Sequence, residues 1–326
     1  MPDLATVHAR LLEWYAANAR DLPWRRTRDP YAILVSEIML QQTQVDRVVP
    51  KWLAWLERFP TLLDLARASR ADAIRAWQGL GYNLRAVRLH AIASQVATTY
   101  GGELPRDVAG LLRLKGIGRY TAGAVACFAY EQPVAMVDTN VRRVLSRVFG
   151  WPASAVDDLA QSVVPVSAAY AWNQALMDLG ATLCRARQPL CLVCPLVAEC
   201  GWPHATSGSP EPAARLPGPA ASRESGVGPR TPAGSRESAV RLPGPAGLPE
   251  SAVGPPTPAA SPKVAAGQFI GSRRYHRGRI VQVLRGLPAG ESMRVSDLGE
   301  RRELVHQLAA DGLVRIDADE RVRLAD

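Results

Sequence analysis

The sequence of 326 residues has no apolar run that reaches the length of a membrane span, about 18 residues. Its N-terminus lacks a basic segment followed by an apolar one, the pattern of a secretory signal peptide. Alternating apolar and polar runs, typical of half-buried strands, are scarce before residue 205. These absences argue against a membrane, secreted or β-rich protein, so we expect a cytoplasmic one.

Acidic residues are outnumbered. The chain holds 39 Lys and Arg against 30 Asp and Glu, a formal net charge of +9. An excess of this size suits a polyanionic partner such as DNA, RNA or an anionic membrane surface. An ordinary protein from an arginine-rich proteome explains the charge equally well.

The composition divides the chain into three parts. Residues 1–204 carry apolar side chains at three- and four-residue spacing, as in Leu4, Val7 and Leu11, which predicts an all-α domain. Residues 205–264 are dominated by Pro, Gly, Ala and Ser, contain short irregular repeats and lack aromatics. Such a segment buries too little apolar surface to offset its ordering entropy, so we predict a disordered linker.

The last part, residues 265–326, resumes an ordered pattern. Helical runs at 275–284 and 303–311 precede two short alternating runs, which predicts a small winged-helix-like module. Its leading edge, residues 273–279, holds four arginines and a histidine without an acidic residue. That edge is suited to contact phosphates, although an ordinary solvated face has the same composition.

Four of the five cysteines are clustered with the spacing C-x6-C-x2-C-x5-C: Cys184, Cys191, Cys194 and Cys200. In a reducing compartment such a group indicates a metal site rather than disulfides. Four thiolates satisfy either a [4Fe–4S] cluster or a tetrahedral zinc ion, and chemistry alone leaves both open beside unliganded thiols.

Two acids stand out by their surroundings. Glu37 is the only acid between Asp29 and Asp46 on an otherwise apolar helix, and burial there raises a carboxyl pKa. Asp138 follows an apolar run and starts a helix, where its carboxylate stays ionised. A salt-bridged core glutamate and a simple helix cap are the plain alternatives.

A tight turn at 114–118 has glycines two apart, Gly116 and Gly118, between two helical runs. Glycine permits the turn, and the amides at the start of the next helix attract a phosphate. Taken alone, this pattern is no more than an ordinary helix–helix connection.

Several motifs together carry a family resemblance. The cysteine spacing, the run LKGIGRYTAGAVA, the run VDTNVRRV and the stretch LPWRRTRDPYAILVSEIMLQQTQV resemble endonuclease III and, most closely, the A/G-specific adenine DNA glycosylases. The resemblance covers about residues 20–200. It implies an all-α, two-lobed helix-hairpin-helix fold, with a six-helix lobe at about 22–130 and a cluster lobe formed by 1–21 and 131–204. It also favours a [4Fe–4S] cluster over zinc.

The resemblance also implies roles. Glu37 is expected to protonate the flipped adenine, and Asp138 to stabilise the sugar cation. Tyr120 stands where endonuclease III-like enzymes carry a nucleophilic lysine, which implies a glycosylase without strand nicking, and its hydroxyl is expected to assist Asp138. The remaining positions matched to DNA or base contacts are Trp24, Arg25, Gln41, Gln42, Tyr82, Gly116, Gly118, Asn140 and Asp178.

We therefore expect a monomeric base-excision enzyme, acting on the bacterial nucleoid, that removes adenine opposite 8-oxoguanine or guanine in double-stranded DNA. The rival functions are removal of thymine from G:T mismatches and a noncatalytic iron–sulfur DNA-binding redox sensor. The chain departs from the family in its tail, which is shorter than the domain that reads 8-oxoguanine. The preference for 8-oxoguanine over guanine is therefore left open.

Overall fold

The computed structural model describes residues 2–202, 272–299 and 302–326. The predicted linker, residues 205–264, lies outside the described residues. No helix in the described ranges is long and apolar enough to cross a membrane.

Residues 2–202 fold into helices joined by short turns. Their bounds are α1 Leu4–Asn18, α2 Pro30–Leu40, α3 Val45–Arg58, α4 Leu62–Arg67, α5 Arg70–Ala76, α6 Leu84–Thr99, α7 Val108–Leu112, α8 Arg119–Tyr130, α9 Thr139–Phe149, α10 Val156–Leu159 and α11 Ala169–Thr182. Single turns of 3₁₀ helix lie at Pro23–Arg25, Ala160–Val163, Val166–Ala168 and Cys191–Val193. The predominantly helical fold predicted for this region is confirmed.

Helix α2 is the central element. Its N-cap is Asp29, whose carboxylate accepts from the Tyr31 amide, and Pro30 occupies the first turn, where a missing N–H costs nothing. Every residue from Tyr31 to Met39 is buried, so the helix is enclosed on all sides. It packs against α8, α3 and α6. A carboxyl group on such a helix is therefore held away from bulk water.

Two hydrophobic cores share the helical region. One is built mainly from α2, α3, α6 and α8. The other joins α1 to α9 and α11 around Trp172 and Leu176. The expected division into two lobes near residue 130 stays a prediction. The presence of two hydrophobic cores supports it.

The C-terminal residues form helices α12 (Arg273–Arg285) and α13 (Arg302–Ala310) with strands β1 (Met293–Arg294), β2 (Val314–Ile316) and β3 (Arg321–Leu324). The sheet is antiparallel in the order β1-β3-β2. Both helices and the β2–β3 hairpin agree with the sequence expectation. Strand β1 was missed because two residues give no readable alternation.

Candidate active site and cysteine pocket

A long cleft runs between the ends of α2, α8, α9 and α12, and Glu37, Tyr120 and Asp138 all line it. These residues come from three different helices and lie far apart in the sequence. The structure thus brings together the three side chains for which the sequence predicted chemistry.

Glu37 lies in the buried part of α2 with 4% of its surface exposed. Burial raises its pKa to about 7. The Asp138 charge also raises this pKa, while the hydrogen bond from Tyr120 and the Arg25 charge lower it. The carboxyl group is consequently half-protonated near neutrality, which suits a general acid.

Asp138 is the N-cap of α9, and its carboxylate accepts from the Val141 amide at 2.7 Å. The Asn140 side-chain amide approaches the other carboxylate oxygen at 3.4 Å. Asp138 therefore is the helix cap that the plain alternative proposes, and its carboxylate also borders the cleft, so the catalytic role stays a prediction.

Tyr120 lies in the first turn of α8, with its hydroxyl hydrogen-bonded to Glu37 and 3.9 Å from the Met177 sulfur. Burial and the two neighbouring carboxylates hold its pKa well above the usual range, so the hydroxyl stays a neutral donor. The sequence expected this hydroxyl to assist Asp138. That role stays a prediction, since the Asp138 charge acts on the hydroxyl alongside the hydrogen bond to Glu37.

Asp178 does not line the cleft as the sequence predicted. It is fully buried behind the cleft, where Arg25 binds both of its oxygens at 2.7 and 2.8 Å and Arg20 donates from its side chain at 2.6 Å. Burial alone would raise its pKa, but the hydrogen bonds and charges of the two arginines lower it. Asp178 thus orients Arg25, which lines the cleft beside Trp24.

Two turns on the cleft carry Gln41, Gln42 and Tyr82. Gln42 and Tyr82 both adopt positive φ, at 57° and 45°, a conformation that is costly for residues other than glycine. Gln41 and Gln42 are exposed and Tyr82 is half-buried, so the two turns present these side chains at the border of the cleft.

Arg85 holds both of these turns and was not predicted. Its guanidinium donates to the carbonyls of Met39 at 2.8 Å and Leu80 at 2.9 Å. Further acceptors are the carbonyls of Ile38, Gln41 and Gly81 and the Thr43 hydroxyl. No local signal marks this residue among the 39 Lys and Arg of the chain. Burial lowers its pKa to about 10.

The predicted hairpin connects α7 to α8. Gly116 has φ +105°, a backbone conformation that residues with a side chain rarely adopt. Gly118 is the exposed N-cap of α8. The two glycines therefore permit the tight turn that leaves the first amides of α8 open to a phosphate.

The basic edge of α12 is divided between two environments. Arg274, Arg277 and Arg279 line the cleft. Arg273 instead forms an exposed ion pair with Glu303 at 3.2 Å. Residues of the C-terminal module thus border the same cleft as Glu37.

The four clustered cysteines line one small pocket, together with Arg147 and Trp202. No group of three or more His, Cys, Asp or Glu side chains in the described ranges is arranged to hold a single metal ion. A mononuclear zinc site needs all four sulfurs about 2.3 Å from one point. The four thiols that line this pocket are the donor set that a [4Fe–4S] cluster requires, so the residues present fit that group.

Burial raises the pKa of Cys194 to about 11 and also raises that of Cys200. Thiolates here need compensating charge or metal. Arg147 supplies charge, with Nη1 3.4 Å from the Cys184 sulfur. Cys127, by contrast, is buried in the other core.

Comparisons with known proteins identify the family. Residues 35–165 match the model of the HhH-GPD superfamily base excision DNA repair proteins. The adenine DNA glycosylase of Mycolicibacterium smegmatis is 51% identical over 199 residues, which are 59% of this chain and 68% of that protein. This chain belongs to the adenine DNA glycosylases. The human adenine DNA glycosylase is 44% identical over 61% of this chain and 40% of its own length.

Solved structures give the same fold for this glycosylase. A thermostable thymine-DNA glycosylase is 32% identical with a TM-score of 0.59, covering 61% of this chain and 95% of its own. An endonuclease III structure trapped on DNA has a TM-score of 0.53 at 24% identity, over 61% of this chain and 96% of its own. The resemblance stated from the motifs is confirmed.

The Arg85 network predicts a strong dependence of stability on this one side chain. Arg85→Met should lower the free energy of unfolding by about 3 kcal/mol or more, because it leaves buried carbonyls without donors. Urea denaturation measures this loss. The control Arg67→Ala removes an arginine whose side chain is 74% exposed, and should change stability by less than about 0.5 kcal/mol. Equal losses in the two variants would contradict the network.

The cysteine pocket predicts that Cys194→Ser abolishes or strongly reduces iron and acid-labile sulfide in the purified protein, because a hydroxyl is a poor ligand for a cluster. Metal analysis and the visible absorption spectrum measure the loss. Cys127→Ala, outside the pocket, is the control and should retain the iron. One equivalent of zinc in a colourless wild-type protein would reject the iron–sulfur assignment.

Proposed function

We propose that this glycosylase flips adenine out of duplex DNA, where it lies opposite 8-oxoguanine or guanine, and hydrolyses its N-glycosidic bond. The observation that carries the proposal is the buried Glu37, with a pKa of about 7, sharing a cleft with Asp138. Hydrolysis at a purine needs a protonated leaving base and a stabilised oxocarbenium ion. One neutral and one ionised carboxyl group supply these two requirements.

Glu37 acts as the general acid on the adenine ring. Its burial in α2 disfavours the carboxylate, so a proton is available at neutral pH. The Tyr120 hydroxyl fixes the orientation of this carboxyl group by its hydrogen bond. Once the proton has passed to the base, the same hydrogen bond stabilises the carboxylate left behind.

Asp138 stabilises the positive charge that develops on the sugar. Its fixed hydrogen bond to the α9 backbone holds the carboxylate in place before the reaction begins. Tyr120 stands where endonuclease III-like enzymes carry a nucleophilic lysine, and a neutral tyrosine cannot form a Schiff base with the sugar. The reaction therefore ends at an abasic site with an intact strand.

The remaining cleft residues bind the duplex. Gln41, Gln42 and Tyr82 fill the gap that the flipped base leaves, and Trp24 with Arg25 borders the adenine pocket. The amides following Gly116 and Gly118 take a backbone phosphate, and Asn140 extends that contact from the start of α9. Asp178 contributes indirectly by holding Arg25.

A [4Fe–4S] cluster bound by Cys184, Cys191, Cys194 and Cys200 completes the protein, and its role is structural. When bound, it ties residues 184–200 into one loop through four thiolates. Arg185 and Arg187 on that loop are then placed for phosphate contacts. We further propose that the enzyme works as a monomer on nucleoid DNA in the cytoplasm.

A single-turnover assay on duplexes with A:8-oxoguanine, A:G, T:G or thymine glycol tests the reaction. We expect free adenine from the first two, and strand breaks only after alkali. Release of thymine alone would favour the G:T rival, and binding without base release would favour the redox sensor. Strand nicking without alkali would overturn the role given to Tyr120.

The Glu37 pKa predicts the pH dependence. Because the protonated form is the acid, the single-turnover rate should fall about tenfold per pH unit above pH 7. Glu37→Gln should reduce it by a factor of about 10² or more while retaining DNA binding. The exposed Glu57→Gln is the matched control and should remain active. An unchanged rate for Glu37→Gln would remove it from the acid role.

The same pKa has a stability consequence of known sign. Its folded-state value lies above the unfolded one, so its stabilising effect is complete below about pH 4.5 and is lost as pH rises to about 7. Glu37→Gln should therefore raise the free energy of unfolding at pH 8 by roughly 1–3 kcal/mol and have little effect near pH 4.5. Denaturation at the two pH values measures the difference.

A further inference from the structure

The C-terminal module shares a hydrophobic core with the helical domain. Ile280, Val281 and Leu284 of α12 are buried in one cluster with Ala71 and Ile74 of α5. Buried apolar surface of this kind fixes an element rather than letting it slide. Helix α12 therefore has a defined position against the turn between α5 and α6.

Arg285 anchors that position next to Tyr82. Its side chain donates to the Ile74 carbonyl at 3.0 Å and to the Asn83 side-chain oxygen at 2.8 Å. Burial lowers the pKa of Arg285 to about 10. Because Asn83 directly follows Tyr82, this contact reaches the turn that carries the tyrosine.

Arg274, three turns earlier on α12, stacks on the tyrosine ring. Its guanidinium carbon lies 3.8 Å from the Tyr82 ring centroid, within the range of a cation–π contact. The Arg85 guanidinium lies 5.4 Å from the same centroid. Tyr82 is thus held by one arginine of its own domain and one of the C-terminal module, in a backbone conformation with φ 45°.

We propose that Arg274 is a positioning residue that holds the Tyr82 ring for insertion into DNA. Through this contact the C-terminal module controls the ring, which acts as a wedge beside the opposite purine. The inference rests on the proposed function, which gives Tyr82 that role. A ring held before binding loses less conformational freedom when it enters the duplex. The module would then contribute to binding through Tyr82 rather than only through charge.

The alternative role for Arg274 is an ordinary phosphate contact. Its neighbours on the cleft differ from it in their partners, since Arg277 pairs with Asp311 and Arg279 lies 3.4 Å from the Gln282 side chain. The stack on Tyr82 sets Arg274 apart from both. The two roles make different predictions, because a phosphate contact acts independently of the tyrosine and depends on salt.

A double-mutant cycle on the full-length protein separates them. The measurement is the dissociation constant for an A:8-oxoguanine duplex whose adenosine carries a 2′-fluorine, which resists cleavage because it destabilises the sugar cation. Arg274→Ala should weaken binding about two- to fivefold in the presence of Tyr82. In the Tyr82→Ala background the same change should have no further effect. Arg273→Ala, the neighbouring arginine outside the cleft, is the matched control and should bind like wild type.

Two readouts sharpen the result. The fluorescence of 2-aminopurine next to the 8-oxoguanine reports unstacking by the wedge, and Arg274→Ala should reduce it at saturating protein while Arg273→Ala does not. The slope of log Kd against log salt should stay unchanged in Arg274→Ala. If Tyr82→Ala fails to fold, Tyr82→Leu removes the ring while keeping side-chain volume.

Independent, multiplicative losses in the cycle, or a salt slope reduced by about one, would make Arg274 a phosphate contact and overturn the proposal. Adenine release by the wild type is measured in parallel. If wild type releases adenine but the cycle is multiplicative, only the positioning role fails. If wild type releases no adenine, the proposed function itself fails.

Discussion

Helix α9 is the constraint on which much of the site depends, because it carries a cleft carboxylate at one end and contacts the cysteine loop further along. Asp138 caps its first turn. Arg143 donates to the carbonyls of Gly180 and Cys184, both at 2.8 Å. Gly180 allows α11 to approach α9 closely, since a Cβ at this position would lie 2.8 Å from the Asn140 Cβ. Short, direct contacts thus join α9 to α11 and to the start of the cysteine loop.

Two buried carboxyl groups near the cleft show how environment divides their roles. Asp178 is fully buried yet ionised, because Arg20 and Arg25 satisfy both of its oxygens. Glu37 is buried to nearly the same degree, and burial raises its pKa more than the Tyr120 hydroxyl and the Arg25 charge lower it. Burial alone does not decide whether a carboxyl group is ionised, because the number and charge of its hydrogen-bond donors also shift its pKa. Asp178 stays ionised and binds Arg25, whereas Glu37 can exchange a proton near neutral pH.

Sequence patterns predicted the features that are local along the chain. The α9 cap at Asp138 and the glycine turn before α8 each lie within a few consecutive residues, where turn and capping rules apply. The cysteine spacing is likewise contained in one short stretch of the chain. Contacts between distant segments leave no such pattern. The reach of Arg85 to two separate turns, and the position of Asp178 behind the cleft, depend on how α2, α6 and α11 pack. Tyr120 lines the cleft, and the contacts of its hydroxyl with Glu37 and Met177 also depend on that packing.

The strained turns explain why Arg85 is buried at all. A buried guanidinium is costly unless its donors are satisfied. Here its acceptors are carbonyls at the end of α2 and in the turn before α6, the two segments that place Gln42 and Tyr82 at positive φ. The hydrogen bonds that offset the burial of the charge are therefore the same bonds that hold the costly backbone conformations. One buried side chain thus contributes both to stability and to the conformation of the turns that carry Gln42 and Tyr82.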